Sequence, residues 1–501
     1  MENKPKILFW LNGFLLHFSL AYYLKNSLNA DFFGILDINS QPKSFFENQT
    51  LVDFKKKWYF HDHVKIDKSN IDIDYLLNFE KKYHIDLWKL ALNERFFYKF
   101  NRFYQFKKEE ILSFLEQEIR LFEKILNDIK PDYFLTYDPV FHHQKLLLDI
   151  CRSKGIKVLS VCSLGFENKF LLAESGSTFD LKSEKIIPIE NQINLKNYLN
   201  DDSRDISFRK FIDERDQGVN QKISALKDFL IIDDKDLINS NFMYFGRTKF
   251  KVIKDTLSLE IKRRKNFNFL EKNSTNSPDL TIPFIYFPMS IDEEMSLLHY
   301  APYFTDQIEV ITHIAKSIPI DHLLYVKEHT VAGLRGWHDP IYYKKILEIP
   351  NIVLINPNVD NEDLIKNSNL VITIRGTSPL KAMKNNKPSL IFGDQPFEIM
   401  SSVFKVDSLF DLPDLIKEAL NHKVDHLDYN KYESIFKNRS FVFDFTSYEI
   451  KRNKTFFSGG ILSNVEIKEK TMSIFLEKNK NMFSELINAH LTCLSNSNNI
   501  K

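Results

Sequence analysis

Between Leu323 and Asp394 the chain carries LLYVKEHTVAGLRG, NIVLINP, NLVITIRGTSPLKAM and KPSLIFGDQ in succession. No other stretch restricts the fold as much. Each piece is a short apolar run rich in Val, Ile and Leu that stops at a polar or Gly-containing turn. A strand covered on both faces reads as such a run, because helices lie against both sides of a parallel sheet. Helical patterns fill the gaps: DPIYYKKILE before the second run, DNEDLIKNS before the third, SPLKAMKNN before the fourth. This alternation predicts βαβ units and a parallel sheet.

In an open α/β sheet, ligands bind beyond the carboxyl ends of the strands. Those ends carry Lys327, Glu328 and His329, then Arg375, Gly376 and Thr377, then Gly393 and Asp394. Gly376 and Thr377 are followed by Ser378 and Pro379, a sequence suited to a helix start. Backbone N–H groups and the helix dipole at such a point attract anions, and a glycine lets a phosphate approach the backbone. The rim is expected to be a nucleotide or sugar-phosphate pocket.

A chain of 501 residues exceeds one ordinary core, so two major domains plus helical additions are expected. Its net charge of +1 argues against a general nucleic-acid binder. Cys151, Cys162 and Cys493 form neither a metal-ligand spacing nor a disulfide framework, which points to a reducing, cytoplasmic compartment. The apolar stretch Ile7–Leu24 is interrupted by Asn12, Gly13 and His17 and reads as a buried strand followed by a buried helix. Any membrane role is then peripheral, at the inner face of the cell membrane.

In chain order, Lys6–Leu11 is a predicted strand, Asn12–Gly13 a turn, Phe14–Leu28 a helix and Phe32–Leu36 a strand. Residues 39–107 are irregular and aromatic-rich. His61, Asp62 and His63 would offer two imidazoles to a metal if they lay on a strand, but no further ligand is near in sequence, and packing or surface roles are the ordinary case for such a pair. Asp72 and Asp74 fit a solvated strand or a helix start. Glu109–Ile129 has the spacing of an amphipathic helix. Tyr133–Thr136, Phe141–Lys154 and Ile156–Cys162 make a second strand–helix–strand unit, with Gly155 ending its helix. Asp138, His142 and His143 fall near the exit of its first strand, and Glu167 near the exit of the next; a general base there and a capping Asp with partly exposed His are both open. Arg263, Arg264 and Lys265 read as a solvated helix face or an anionic-lipid contact. Asn273–Pro278 reads as a linker. The expected domains are residues 1–275, 280–430 and a helical extension over 431–501.

The order of these parts resembles the GT-B glycosyltransferase architecture: two Rossmann-like α/β domains facing a cleft, with helical insertions and C-terminal helices. Within that class the second half resembles the capsule polysaccharide biosynthesis and export family, whose members include Kdo transferases. The residues that carry the resemblance are Pro288–Glu294, APYFTDQ at Ala301–Gln307, YVKEH at Tyr325–His329, the NIVLINP run, TIRGT at Thr373–Thr377 and IFGD at Ile391–Asp394. The chain departs from the family pattern at Ser290, Thr330 and Lys381, where the family usually has His, Pro and Glu.

The resemblance implies an enzyme that moves a sugar from a nucleotide-activated donor, CMP- or UDP-linked, to a glycan or lipid-linked glycan acceptor. It implies donor contacts from Lys327, Glu328, His329, Arg375, Gly376, Thr377 and Ser378. Arg375 would neutralise the leaving nucleotide in place of a metal ion, so neither metal nor further cofactor is expected. Glu294 or Asp138 would serve as base, with His329 in the catalytic group. A sugar-nucleotide epimerase or hydrolase on the same fold, and a non-catalytic glycan-assembly protein, are the competing readings; Lys381 favours the last.

Overall fold

The computed structural model describes residues 4–65, 71–165, 168–176, 219–437 and 439–496. Glu167 and the charge-rich SFRKFIDERDQG stretch lie outside the described residues. The described chain forms two compact units. One contains its residues up to 176, with 219–249 and 439–496; the other contains 250–437.

The first unit is built on strands β1 (Lys6–Asn12), β2 (Asp31–Asp37), β3 (Phe54–Tyr59), β4 (Tyr133–Tyr137), β5 (Lys157–Ser163) and β6 (Lys169–Ala173). They lie in the order β6-β5-β4-β1-β2-β3, parallel from β5 to β3, with β6 antiparallel. Residues 7–11 of β1 are all buried because the strand has neighbours on both edges and helices on both faces. Ile7–Leu24 thus resolves into β1 and the helix Leu16–Leu24. β3 escaped the sequence reading. Its FKKKWY pattern exposes Lys55 and Lys56, as suits a charged edge strand that discourages further pairing.

The second unit carries β7 (Phe284–Pro288), β8 (Leu323–Lys327), β9 (Ile352–Ile355), β10 (Leu370–Thr373), β11 (Ser389–Ile391) and β12 (Val403–Lys405). All pairs are parallel, in the order β12-β11-β10-β7-β8-β9. β8 to β11 are the four runs that fixed the fold class. The order reverses between β7 and β10, the point where α/β sheets of this kind open a crevice. The 273–278 stretch is no linker. Thr275 pairs with Ile355, donating to the carbonyl of Leu354 and accepting from the amide of Asn356, both at 2.9 Å, so it extends this sheet beyond β9. The preceding helix, Lys249–Asn273, also belongs here rather than to the first unit. Its buried Leu270 packs with Tyr343 and Leu354, and Asn266 donates to the carbonyl of Gly336 (3.0 Å).

Residues from 439 return to the first unit instead of forming an extension of their own. β13 (Phe441–Val442) adds an antiparallel strand beside β6. Phe443, Tyr448, Phe475 and Phe483 share a core with Phe9 and Phe18, and the Tyr448 hydroxyl donates to the carbonyl of Phe14 (2.7 Å). The unit is α/β with one face of its sheet closed by residues far away in sequence. Among the described residues, no helix is long and apolar enough to cross a membrane.

Candidate functional site

The crevice position in the second unit lies between the exits of β7 and β10, and the chain's Gly-Thr turn is there. Ser290, just after β7, donates from its hydroxyl to the carbonyl of Arg375, just after β10 (3.3 Å). Its backbone is clamped by Gln307, which accepts from Ser290 N (2.7 Å) and donates to Ser290 O (2.9 Å). Ser290, where the resemblance expects His, therefore ties the two central strands together. Arg375 lies with its guanidinium 4.1 Å above the Tyr300 ring and donates from Nε to the carbonyl of Asp394 (3.1 Å), which orients its head along the rim. Gly393 explains part of the APYFTDQ motif: a Cβ at this position would stand 2.9 Å from both the Ala301 methyl and the Tyr300 carbonyl.

The turn itself differs from the expectation. The buried Gln395 amide, oriented to satisfy both groups, donates to the carbonyl of Gly376 (2.8 Å) and accepts from its N–H (3.1 Å). Gly376 N–H is thereby occupied. Thr377 stands at the N-cap of Ser378–Lys384 without a side-chain capping bond. Gly376 is not in the left-handed region, and the nearest atom to a Cβ there is the Thr373 hydroxyl at 3.7 Å, so the turn does not require glycine for strain or packing.

The exit of β8 separates three residues that the sequence placed together. Lys327 is buried and donates to the carbonyl of Val359 and to Asn361 Oδ1. Burial pushes its pKa down to about 8; Asp360 opposes this and Lys381 adds to it. Glu328 does not face the rim. One carboxylate oxygen accepts from His329 N (2.8 Å); the other accepts from the Tyr343 hydroxyl (2.8 Å) and meets His338 Nδ1. The carboxylate expected at the donor is thus buried and engaged by His329, Tyr343 and His338. His329 starts a 3-10 turn by accepting from Val331 N at its Nδ1 (3.2 Å), and burial lowers its pKa below the ordinary value.

His338 is the residue that sequence reasoning missed. It bridges Glu328 and Asp292 (3.0 Å from Nε2 to Oδ2) and stacks on Tyr342 with ring centroids 3.9 Å apart. Asp292 in turn accepts from Gln307. Burial alone would lower the imidazole pKa, but the Glu328 and Asp292 carboxylates outweigh it and push it up to about 10. A charged imidazole thus joins the β8 exit to the loop after β7, the loop that carries Glu294 at the start of the short helix Met295–Leu298. The WHDP sequence before a helix start was the available signal. Its partners lie 10 and 46 positions away, out of reach of any local pattern.

The first unit's sheet order reverses between β1 and β4. Asn12 Nδ2 donates to the Tyr137 hydroxyl (2.5 Å), Gln144 Nε2 donates to the same oxygen (2.9 Å), and Asn12 Oδ1 accepts from Phe14 N (3.1 Å). Gly13 is not left-handed and has nothing within 4 Å of a Cβ; the strained position is Leu15, at φ 55°. Asp138 accepts from Gly176 N (2.9 Å). His142 and His143 are not partly exposed helix-start residues but are wholly buried, so neither is a base at this rim. His142 lies between Glu94 (2.9 Å) and Glu118 (3.0 Å); burial opposes its protonation, yet these carboxylates raise its pKa to about 10. The HDH triplet is a helical turn, not a strand. His61 is buried against Asp37 (2.9 Å) while His63 is exposed, so the two share no ligand.

No family profile matches the chain. Protein FixF of Sinorhizobium fredii is 24% identical over 146 residues, 28% of this chain and 33% of that protein. The chain thus spans a third of that relative's length. Among solved structures, UDP-GlcNAc 2-epimerase of Methanocaldococcus jannaschii, in complex with UDP-GlcNAc and UDP, is 14% identical, covering 86% of this chain and 99% of that one with a TM-score of 0.26. The KpsC β-Kdo 2,7 transferase of Thermosulfurimonas dismutans is 12% identical, covering 70% and 87% with a TM-score of 0.29. The α/β assignment itself rests on the two strand orders above, and these distant likenesses decide nothing about activity.

Proposed function

We propose that the protein is a glycosyltransferase that moves a sugar from a nucleotide-activated donor to a surface polysaccharide or glycolipid acceptor. The observation that carries this reading is the constellation at the β7/β10 switch point, where Arg375, stacked on Tyr300, adjoins the Gly376–Thr377 turn. In this reading the amides of Thr377 and Ser378 take the donor phosphate. Arg375 stabilises charge on the departing nucleotide, since guanidinium stays ionised and grips phosphate in two places. Leaving-group stabilisation by a fixed cation requires no metal at this position. The proposed donor is CMP- or UDP-linked.

Glu294, in the loop after β7, is proposed to take the acceptor hydroxyl proton, with Asp138 as the alternative base. His329 is proposed to hydrogen-bond the donor. His338, Glu328 and Asp292 act through the loops they hold and are positioning residues. The membrane contact of the proposed lipid-linked acceptor is peripheral, at the inner face of the cell membrane.

Calorimetry with CMP-, UDP- and GDP-sugars tests the reading, followed by mass spectrometry of acceptor products. One donor class should bind, and Arg375→Ala should abolish its transfer. If no donor binds, and Arg375→Ala leaves the cell-surface glycan unchanged, the proposal fails. Release of free sugar or an epimer without acceptor would instead identify a hydrolase or epimerase on the same scaffold, since the fold does not separate these chemistries.

A further inference from the structure

We propose that Glu118, His142 and His143 hold a divalent transition-metal ion, best matched by zinc, at a structural site inside the first unit. Glu118 comes from the helix Lys108–Ile129, and the two histidines from the first turn of His142–Ser153. All three side chains are completely buried, and one ligand atom from each lies within 4.8 Å of the other two. Two imidazole nitrogens and both oxygens of Glu118 would supply the four donor atoms, of the types that zinc takes in a structural site.

An unmet ligand position is the first argument. His143 is completely buried; its Nε2 meets Asp37 (3.3 Å), while its Nδ1 has no hydrogen-bond partner among the described residues. Imidazole nitrogens are common metal ligands, and a buried one left without a partner is a position that an ion can fill.

The second argument is the surrounding shell. Metal-bound histidines characteristically pass their other ring nitrogen to a carboxylate, which sets the tautomer and orientation. Here His142 Nδ1 meets Glu94 Oε2 (2.9 Å) and His143 Nε2 meets Asp37 Oδ2. His142 Nε2 stands 3.0 and 3.1 Å from the two Glu118 oxygens, close to the edge between adjacent ligands bonded at about 2.0–2.2 Å to one ion. Binding exchanges the Nε2 proton of His142 for the ion, releasing that proton, and draws His143 inward. Phe60 stacks on His143 at 4.7 Å and Phe97 lies 4.5 Å from His142, so the shell is aromatic and dry. The site would fasten the helix after β4 to the helix before it, independently of the proposed donor pocket in the other unit.

The test is elemental analysis of the full-length protein, expressed without a metal-binding tag in zinc-supplemented medium and dialysed. We expect about one zinc per chain, a melting temperature lowered by chelator and restored by zinc chloride, and two imidazoles in the X-ray absorption spectrum of the ion. Glu118→Gln and His143→Asn should each bring the content below a tenth of an ion per chain, and Glu94→Gln should weaken retention about 10–100-fold. Protein that carries less than a tenth of an ion per chain, and whose melting temperature zinc does not move, overturns the proposal. So does bound zinc whose absorption spectrum shows no imidazole pair; because that measurement uses the wild-type protein, it stands even if the variants fail to fold.

Discussion

Replacing His338 with Gln removes a charged group that joins Glu328 to Asp292, and the expected cost follows from the geometry. In the folded protein the imidazole pKa rises from 6.5 to about 10, which corresponds to about 5 kcal/mol of differential interaction between its charged and neutral forms. The side chain keeps 18% exposure, so screening reduces this, and about 3 kcal/mol is the working value. That agrees with about 3–5 kcal/mol for breaking a buried ion pair from one side. For a domain of this size it lowers the melting temperature by roughly 6–12 °C. The pH dependence has a definite sign. A group whose folded pKa is raised contributes its full stabilisation below the unfolded pKa, here about 6.5, and loses it as pH rises through about 10. Urea melts of wild type and His338→Gln between pH 6 and 10 should therefore converge as pH rises, and taking their difference cancels the groups that do not interact with His338. A gap under about 1 kcal/mol at pH 6, or one that does not shrink by pH 10, would refute the charged bridge.

Three further outcomes are expected. Arg375→Ala should weaken donor binding by at least tenfold in calorimetry while moving the melting temperature little, because its head lies along the rim. Glu294→Gln and Asp138→Asn discriminate the proposed bases: the true base should lose about 10²–10⁴-fold in kcat with donor affinity retained, and the other variant should not. Gly176→Ala places a methyl 2.2 Å from Asp138 Oδ2, so it should displace that carboxylate and destabilise the first unit by about 1–3 kcal/mol, read by thermal melting.

Much of the second unit was legible because its strands are buried on both faces. β8 to β11 announce themselves as apolar runs, and the residues after each run must lie on one rim, whatever packs around them. Three features resisted such reading. β3 is a lysine-rich edge strand, so its pattern carries no apolar run. β13 is two residues long and is held by pairing with β6, hundreds of positions earlier. The helix Lys249–Asn273 buries only Asn266 and Leu270 among its described residues, too little to show which unit it serves.

Site residues divide in the same way. The sequence by itself determined the α/β class, the parallel strands and the identity of the residues that leave each strand, because backbone periodicity and turn chemistry are local. Only the tertiary structure decided what those residues touch. It turned Glu328 inward to His338 and Tyr343, set Gln395 on the backbone of Gly376, and enclosed His142 and His143 among carboxylates. It also brought residues 439–496 back onto the first sheet. Each of these outcomes depends on pairing charges or polar groups taken out of water, and the partner that satisfies a buried group is chosen by proximity in space, which no local pattern encodes.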